Sequence, residues 1–303
     1  MNKDQTNWRS DIGVLLLVGL GVALLHVLTN GQYGFHRDEL DIIMNARRLD
    51  WGYVAYPPLT PLLARVELVL FGSALTGMRL SPAPAQGTVA VLVGLMARDL
   101  GDRRGAQILA ALAAVISPVA LTTGMLIQYM SFDYLWWVVV AFFTVRLLAT
   151  ENPRWWLGID AGIGLGMLTK YTMAYFVVGL AAGVLLTPAR RYLRSPWLWA
   201  GVGVAVLLYL PNLIWQAQHN FISLNFLGAI HARDIQWGRT ADFLPNQFYE
   251  EVNPFVLPLA IAGLIWCFFA PAGRRFRALG WMYVTTFLLL VVSRGRSYYL
   301  APA

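Results

Sequence analysis

Two neighbouring carboxylates, Asp38 and Glu39, stand in the stretch Tyr33-Gly34-Phe35-His36-Arg37-Asp38-Glu39-Leu40, directly after an apolar run of membrane length. Acids at the edge of a bilayer are costly to desolvate, so such a pair marks a place where a proton or a cation is handled. The competing reading is local: acids in the first turn of a helix offset its dipole. Ser131-Phe132-Asp133-Tyr134, Leu168-Thr169-Lys170-Tyr171 and Arg296-Ser297-Tyr298-Tyr299 follow along the chain. Asp133 reads either as a supporting acid of the same site or as a helix-start acid capped by Ser131. Lys170, between two short apolar helices, either snorkels or binds an anion. With Arg296 and the phenols of Tyr298 and Tyr299 it makes a set of cations and hydroxyls suited to a phosphate. His219, after Trp215-Gln216-Ala217-Gln218, is a candidate metal ligand or a solvated loop histidine. A divalent metal ion stays open as a cofactor, with Glu39, Asp133 and His219 as candidate ligands, and no other cofactor is implied.

Together these residues describe one reaction. A carboxylate base, Asp38, takes a proton from an acceptor hydroxyl or phosphate while the cations stabilise a departing lipid phosphate. Residues Arg37 to Leu49 carry a helical pattern, with Leu40, Ile43 and Met44 as an apolar stripe and Asp38, Asp41, Asn45 and Arg48 on the other side. An amphipathic helix lying in the interface presents such a polar stripe to water or to a cleft. Glu39, about 100° around the helix from Asp38, points elsewhere, so the two acids need not share a role.

The elements that hold these residues are membrane helices. Hydrophobic residues make up 58% of the 303 and charged residues 13%, which places the chain in the integral-membrane class. Hydropathy predicts an all-α bundle of about nine spans. They run from Gly13 to Thr29, Met78 to Met96, Ala106 to Thr123 and Tyr134 to Leu148. A tight pair follows around Thr169-Lys170-Tyr171-Thr172, then Pro196 to Ile214, Val252 to Ala270, and a last span ending near Val292. Leu59 to Phe71 is predicted to lie along the interface, and Trp215 to Glu251 to form a long polar loop. The first run has no cleavage pattern of small residues and reads as a retained anchor. The single cysteine, Cys267, excludes an internal disulfide and any Cys-rich metal site.

Charge sets the orientation. Lys3, Arg9, the Arg98–Arg104 group, Arg146 with Arg154, the Arg190–Arg194 group and the Arg274–Arg277 group fall in alternate loops, which the positive-inside bias makes cytoplasmic. The opposite face receives Asp38, Glu39, Asp133, Lys170, His219, Asp234, Arg294 and Arg296. The net charge of +7 is explained by the loop arginines, so no nucleic-acid partner is expected.

At these residues the chain resembles bacterial glycosyltransferase family 39 proteins, relatives of the dolichyl-phosphate-mannose protein mannosyltransferases and of the lipid A aminoarabinose transferases. The resemblance rests on the Tyr33–Leu40 stretch, Leu49-Asp50-Trp51-Gly52-Tyr53-Val54-Ala55-Tyr56-Pro57-Pro58-Leu59, Met130-Ser131-Phe132-Asp133, Leu168-Thr169-Lys170-Tyr171-Thr172, Pro211-Asn212-Leu213-Ile214-Trp215-Gln216 and Ser297-Tyr298-Tyr299-Leu300-Ala301-Pro302. It implies a GT-C fold over residues 1–303, with a mannosyltransferase-like core at about 33–215. It also implies a polyprenyl-phosphate sugar donor, an acceptor (lipid, glycan or protein) and inverting transfer on the extracytoplasmic face of the inner membrane. Asp38 matches the family's catalytic aspartate, Glu39 its acidic neighbour and Asp133 the acid of the second external turn. Arg296 stands where many relatives carry Lys, and the charge survives. Relatives continue beyond the Tyr-Tyr-Leu-Ala-Pro segment, so the chain is expected to be an N-terminal portion without further helices or a soluble domain.

Two other classes fit a membrane cleft with charges. A transporter or flippase of a lipid-linked or anionic substrate predicts pseudo-repeated halves and charges near span centres. No internal repeat is evident, and the charges gather at one interface instead. A noncatalytic assembly subunit predicts that Asp38 is replaceable.

Overall fold

Proline, glycine and paired arginines punctuate the apolar runs, and α-helices form between them. The computed structural model describes residues 3–101 and 103–303, with side chains from Asp11 onward. The side chains of Lys3 and Arg9 therefore lie outside the described residues. Helix α1 (Lys3–Thr29) leads into α2 (Arg37–Arg47), followed by α3 (Leu59–Phe71), α4 (Pro82–Asp99), α5 (Arg104–Val115), α6 (Pro118–Met125) and α7 (Tyr129–Thr150). Next come α8 (Trp155–Met167), α9 (Met173–Leu185), α10 (Pro196–Gln218) and α11 (Ile222–Gln236). The one-turn α12 (Phe243–Asn246), α13 (Leu257–Phe269) and α14 (Arg277–Val292) complete the order.

Among the described residues, five helical segments are long and apolar enough to cross a membrane: 11–29, 77–99, 129–150, 196–218 and 272–292. Two bent pairs raise the number to seven if each is one span. The run expected to be straight from Ala106 to Thr123 is one of them, with α5 and α6 meeting at 71°. Pro118 is the cause: it disfavours helical backbone at Ser117, which is extended (φ −69°, ψ 150°) and caps α6 by accepting the Ala120 N–H at 3.2 Å. The second pair, α9 and residues 188–194, turns through 103° at Thr187-Pro188.

Helix α4 packs against α1, α5 and α7, α8 against α7 and α10, α9 against α14, and α2 against α3. Close approach of α1 and α4 requires Gly19 and Gly87, each without room for a Cβ beside the other's carbonyl. The main core, around Trp137, Ile159, Met173 and Phe176, joins α7, α8 and α9, and it includes a stacked pair of Trp137 and Phe176 rings 4.3 Å apart.

Two expectations are corrected. The apolar residues of α2 divide differently: Ile42, Ile43 and Ala46 are buried together with Glu39, whereas Leu40 and Met44 are exposed. The helix thus has three faces, because it packs on α3 while lying at the surface. Trp215 to Glu251 is not an extended polar loop. Helix α10 runs on to Gln218, and after left-handed Asn220 and Phe221 the chain forms the fifteen-residue α11. Its Phe226, Leu227 and Ile230 line the cavity, while the buried polar residues Ser223 and Asp234 are hydrogen-bonded by Gln216 and Arg296, which lets a polar-rich segment cover a cavity as a helix.

Candidate functional site

One end of the bundle opens into a cavity of about 1460 Å³. The polar face of α2 supplies Asp38, Asp41, Asn45 and Arg48, the loop after it Tyr53 and Tyr56, and α7 its first residue, Tyr129. The α8–α9 turn brings Lys170 and Thr172, α11 forms an apolar wall with Phe226, Leu227 and Ile230, and the segment after α14 adds Arg296, Tyr298 and Tyr299. The polar stripe of α2 does face a cleft. Asp38, Lys170, Arg296, Tyr298 and Tyr299, spread over most of the chain, line one space.

Asp38 is partly exposed at the start of α2. Its Oδ2 accepts from Gln128 Nε2 at 3.2 Å and its Oδ1 from Arg37 Nε at 3.2 Å. Both partners leave lone pairs free toward the cavity.

Glu39 is buried in full and does not line the cavity. Arg79 grips it bidentately, Nε to Oε1 at 2.8 Å and Nη2 to Oε2 at 2.6 Å. The His36 and Ile127 amides donate to the same carboxylate at 2.8 and 3.1 Å. Arg79 also donates to the carbonyls of Asn30, Tyr33 and Gly34 at 2.5, 3.1 and 2.8 Å. The pair thus ties the first loop, α2, the turn at 77–79 and the entry to α7 into one unit. Every strong site on Glu39 is used, which leaves it neither beside Asp38's chemistry nor available to a cation.

Asp133 and Lys170 form a second buried unit, 3.9 Å apart. Asp133 accepts from Trp137 Nε1 at 3.0 Å and Thr172 Oγ1 at 2.9 Å. The Lys170 ammonium makes no hydrogen bond among the described residues. It sits 4.3 Å from the ring centre of Tyr299 and 5.1 Å from those of Tyr129 and Tyr298. Burial pulls its pKa down to about 8, Asp133 resists that shift and Arg296 adds to it.

Arg296 is anchored rather than free. Its Nε donates to Asp234 Oδ2 at 2.7 Å, Nη2 lies 2.5 Å from the same oxygen, and Nη1 donates to the Tyr298 hydroxyl at 2.9 Å. Burial opposes its charge, but Tyr298 and Asp234 outweigh it and hold the pKa above the usual arginine range. Through Asp234, Arg296 latches the segment after α14 to α11, where the neighbouring Arg233 meets the same carboxylate at 3.1 Å.

The three candidate cation ligands separate. Glu39 is on Arg79, Asp133 is beside Lys170, and His219 stacks on Trp215 at 4.0 Å with Nδ1 2.8 Å from the Trp215 carbonyl. Among the described residues no three His, Cys, Asp or Glu side chains converge. A cation shared by Glu39, Asp133 and His219 does not fit this arrangement.

Sequence reasoning passed over Arg79, Gln128, Tyr129 and Thr172. Arg79 had a signal: it is an arginine at the end of an apolar run, outside the clusters of basic residues in the alternate loops. The others carry none, since their roles arise from contacts between distant segments.

The sequence profile of the family described as dolichyl-phosphate-mannose-protein mannosyltransferase matches residues 55–215, more than half the chain. The chain belongs to this family. It is 26% identical over 293 residues to the lipid A galacturonosyltransferase RgtD of Rhizobium johnstonii, covering 92% of this chain and 59% of that one. It is 32% identical over 223 residues to an undecaprenyl phosphate-aminoarabinose arabinosyl transferase of Pseudomonas fluorescens, covering 68% of this chain and 38% of that protein. Its fold is similar to the crystal structure of ArnT from Cupriavidus metallidurans bound to undecaprenyl phosphate, with a TM-score of 0.68 at 21% identity over 94% of this chain and 57% of that one. The chain therefore spans less than two thirds of the length of each of these relatives. The matched family region begins with the Ala55-Tyr56-Pro57-Pro58 segment of the cavity wall and takes in Asp133 and Lys170. It stops before the Arg296 segment.

Proposed function

We propose that the chain is a membrane glycosyltransferase that moves a sugar from a polyprenyl-phosphate donor to an acceptor on the extracytoplasmic side. The observation that carries this reading is the single cavity in which a partly exposed carboxylate, Asp38, faces the same space as the cations Lys170 and Arg296. Asp38 acts as the general base on the acceptor. Lys170 and Arg296, with Tyr298 and Tyr299, hold the donor phosphate and stabilise its charge as it leaves with the lipid. Attack on the face opposite that phosphate inverts the sugar. Asp133 and Thr172 serve as positioning residues, Asp133 keeping Lys170 beside the phosphate position. The polyprenyl chain runs along Phe226, Leu227 and Ile230 of α11. The undecaprenyl phosphate in the names of the arabinosyl transferase and of the ArnT crystal structure supports the donor class.

In this reading, α8 and α13, thirteen apolar-rich residues each, are short spans, about 20 Å long against a hydrocarbon core of about 30 Å, and bring the number to about nine. Helices α2 and α3 lie in the interface, where exposed Leu40, Met44, Leu62 and Val66 meet lipid. The basic loops collect at the other end of the bundle, where Arg104 meets Asp11, Arg146 meets Asp99 and Arg191 meets Glu151, which supports a cytoplasmic end away from the cavity.

Asp38→Asn tests the assignment. Removing a general base costs about 10²–10⁴ in rate. In a transfer assay with a polyprenyl-phosphate sugar, the variant is expected to fold, bind donor and lose turnover by that factor. Near-normal turnover of folded Asp38→Asn protein would reject the mechanism, and a transporter would move lipid-linked sugar with Asp38 replaced.

A further inference from the structure

Base catalysis and phosphate binding leave one wall of the cavity without a task. Asp38, Asp41 and Asn45 recur on α2 at spacings of three and four, so they rise along a single face, and all three line the cavity. Tyr56 closes this wall from the loop ahead of α3. Its hydroxyl donates to Asp41 Oδ2 at 2.5 Å and accepts from Asn45 Nδ2 at 2.6 Å. The Tyr56 ring is buried among Ile42, Ile43 and Ala46, so the three polar groups are held on a rigid base. Asp41 Oδ1 and the Asn45 amide oxygen accept no hydrogen bond among the described residues. They are two neighbouring acceptors with free lone pairs at a cavity surface.

The position of this wall indicates what it meets. The Tyr56 ring lies 5.7 Å from that of Tyr129, and Tyr129 in turn lies 5.1 Å from the Lys170 ammonium. The acceptors therefore stand two rings, Tyr56 and Tyr129, beyond the Lys170 ammonium in the same cavity, on the side toward which a group attached to a phosphate at Lys170 can extend. Neighbouring acceptors match neighbouring hydroxyls, and a carboxylate makes the stronger bond of the two.

We propose that Asp41, Asn45 and Tyr56 form a subsite for vicinal hydroxyls of the donor's sugar ring. This rests on the donor-phosphate reading above. The hydroxyls of an acceptor glycan offer the same chemistry, but the connection through Tyr129 to Lys170 assigns the subsite to the donor. A site built to hydrogen-bond a hydroxyl discriminates strongly against a ligand lacking it.

The test measures binding, in detergent, of undecaprenyl phosphate and of undecaprenyl phosphate carrying mannose, galacturonate or aminoarabinose. The native chain is expected to bind at least one glycosylated lipid about tenfold more tightly than undecaprenyl phosphate, the gain from one charge-assisted bond. Asp41→Asn, which keeps an acceptor for Tyr56, and Asn45→Ala are expected to remove that gain. Both should leave undecaprenyl phosphate affinity and the melting temperature unchanged. Lys170→Met should weaken all four lipids together. A native chain that binds none of the lipids would overturn the donor reading itself. Binding of undecaprenyl phosphate with no gain from any sugar would overturn the subsite alone. Equal weakening of all lipids with a lower melting temperature in the α2 variants would show a structural network. An intact sugar gain with a raised acceptor KM would move the subsite to the acceptor. Either result overturns the proposal.

Discussion

The molecule holds two buried pairs of opposite charge close to its cavity, and they are built differently. In Arg79–Glu39 the guanidinium closes on both carboxylate oxygens at 2.6 and 2.8 Å, and three carbonyls and two amides take the remaining bonds. In Lys170–Asp133 the charges stand 3.9 Å apart, and the ammonium is ringed by three tyrosines without a hydrogen bond among the described residues. A buried charge is stable only when its bonds are made, so the first pair is finished, whereas the second leaves the hydrogen-bonding capacity of its ammonium open toward the cavity. The first pair holds the loops together, and the second faces the space where a ligand would enter. Saturation separates the two acids better than acidity does: Glu39 adjoins Asp38 and shares His36 with it, yet only Asp38 reaches the cavity.

The sharpest way to break that comparison is to truncate each cation. Removing one partner of a buried pair leaves the other charge unpaired and costs about 3–5 kcal/mol. Arg79→Met strands Glu39 and also frees the carbonyls of the first loop. It is expected to lower the denaturation midpoint steeply and to yield little folded protein. Arg79→Lys recovers the charge but not the fork and should be intermediate. If Arg79→Met melted like the native chain, the pair would not be the scaffold described above.

Much of this arrangement was legible in the sequence, for identifiable reasons. Hydropathy marks the spans because an apolar run of membrane length has few other uses. The same logic located α3 to the residue and the turn around Lys170. The cavity residues Asp38, Lys170, Arg296, Tyr298 and Tyr299 stood out as polar groups at span ends. The partners of those groups were hidden. Nothing in the local sequence tells that Glu39 belongs to Arg79, forty positions away, or that Arg296 is held by Asp234 on a helix that reads as polar loop. Pairing across segments is a property of the fold, and one chain carries no periodic signal for it. The α5–α6 bend, in contrast, was visible at Pro118 and lay concealed only beneath the surrounding apolar run.

Truncating Lys170 should cost the fold less than truncating Arg79, because Trp137 and Thr172 still donate to the Asp133 carboxylate, and should cost the ligand. Charge-assisted bonds contribute about 1.5–3 kcal/mol each, so Lys170→Met is expected to weaken undecaprenyl phosphate binding about tenfold or more, with a fall in melting temperature smaller than that of Arg79→Met. Arg296→Met should weaken binding similarly but also loosen α11, because Asp234 loses its main partner. Its readout therefore includes faster hydrogen exchange in residues 222–236, which Lys170→Met leaves unchanged. Tight binding by both variants would place the lipid phosphate elsewhere.

The smallest effect sharpens the comparison without removing any atom. Burial brings the Lys170 pKa from the ordinary 10.5 to about 8, with Asp133 opposing the shift and Arg296 reinforcing it. Phosphate binding needs the charged form, which the free protein loses as pH rises through 8. Affinity for undecaprenyl phosphate should therefore hold steady from pH 7 to 8 and then fall, by at most about tenfold per pH unit for one proton. Lys170→Arg keeps its charge and should flatten the profile, while Arg296, held above the usual range, supplies the residual affinity. Stability runs the other way. Between pH 8 and 10.5 the unfolded chain binds the Lys170 proton more readily than the fold does, so this residue's contribution to stability grows as pH rises. Binding that weakens while this contribution grows would identify one titrating ammonium that faces a ligand. A profile that Lys170→Arg leaves unchanged would assign the pH dependence to another group.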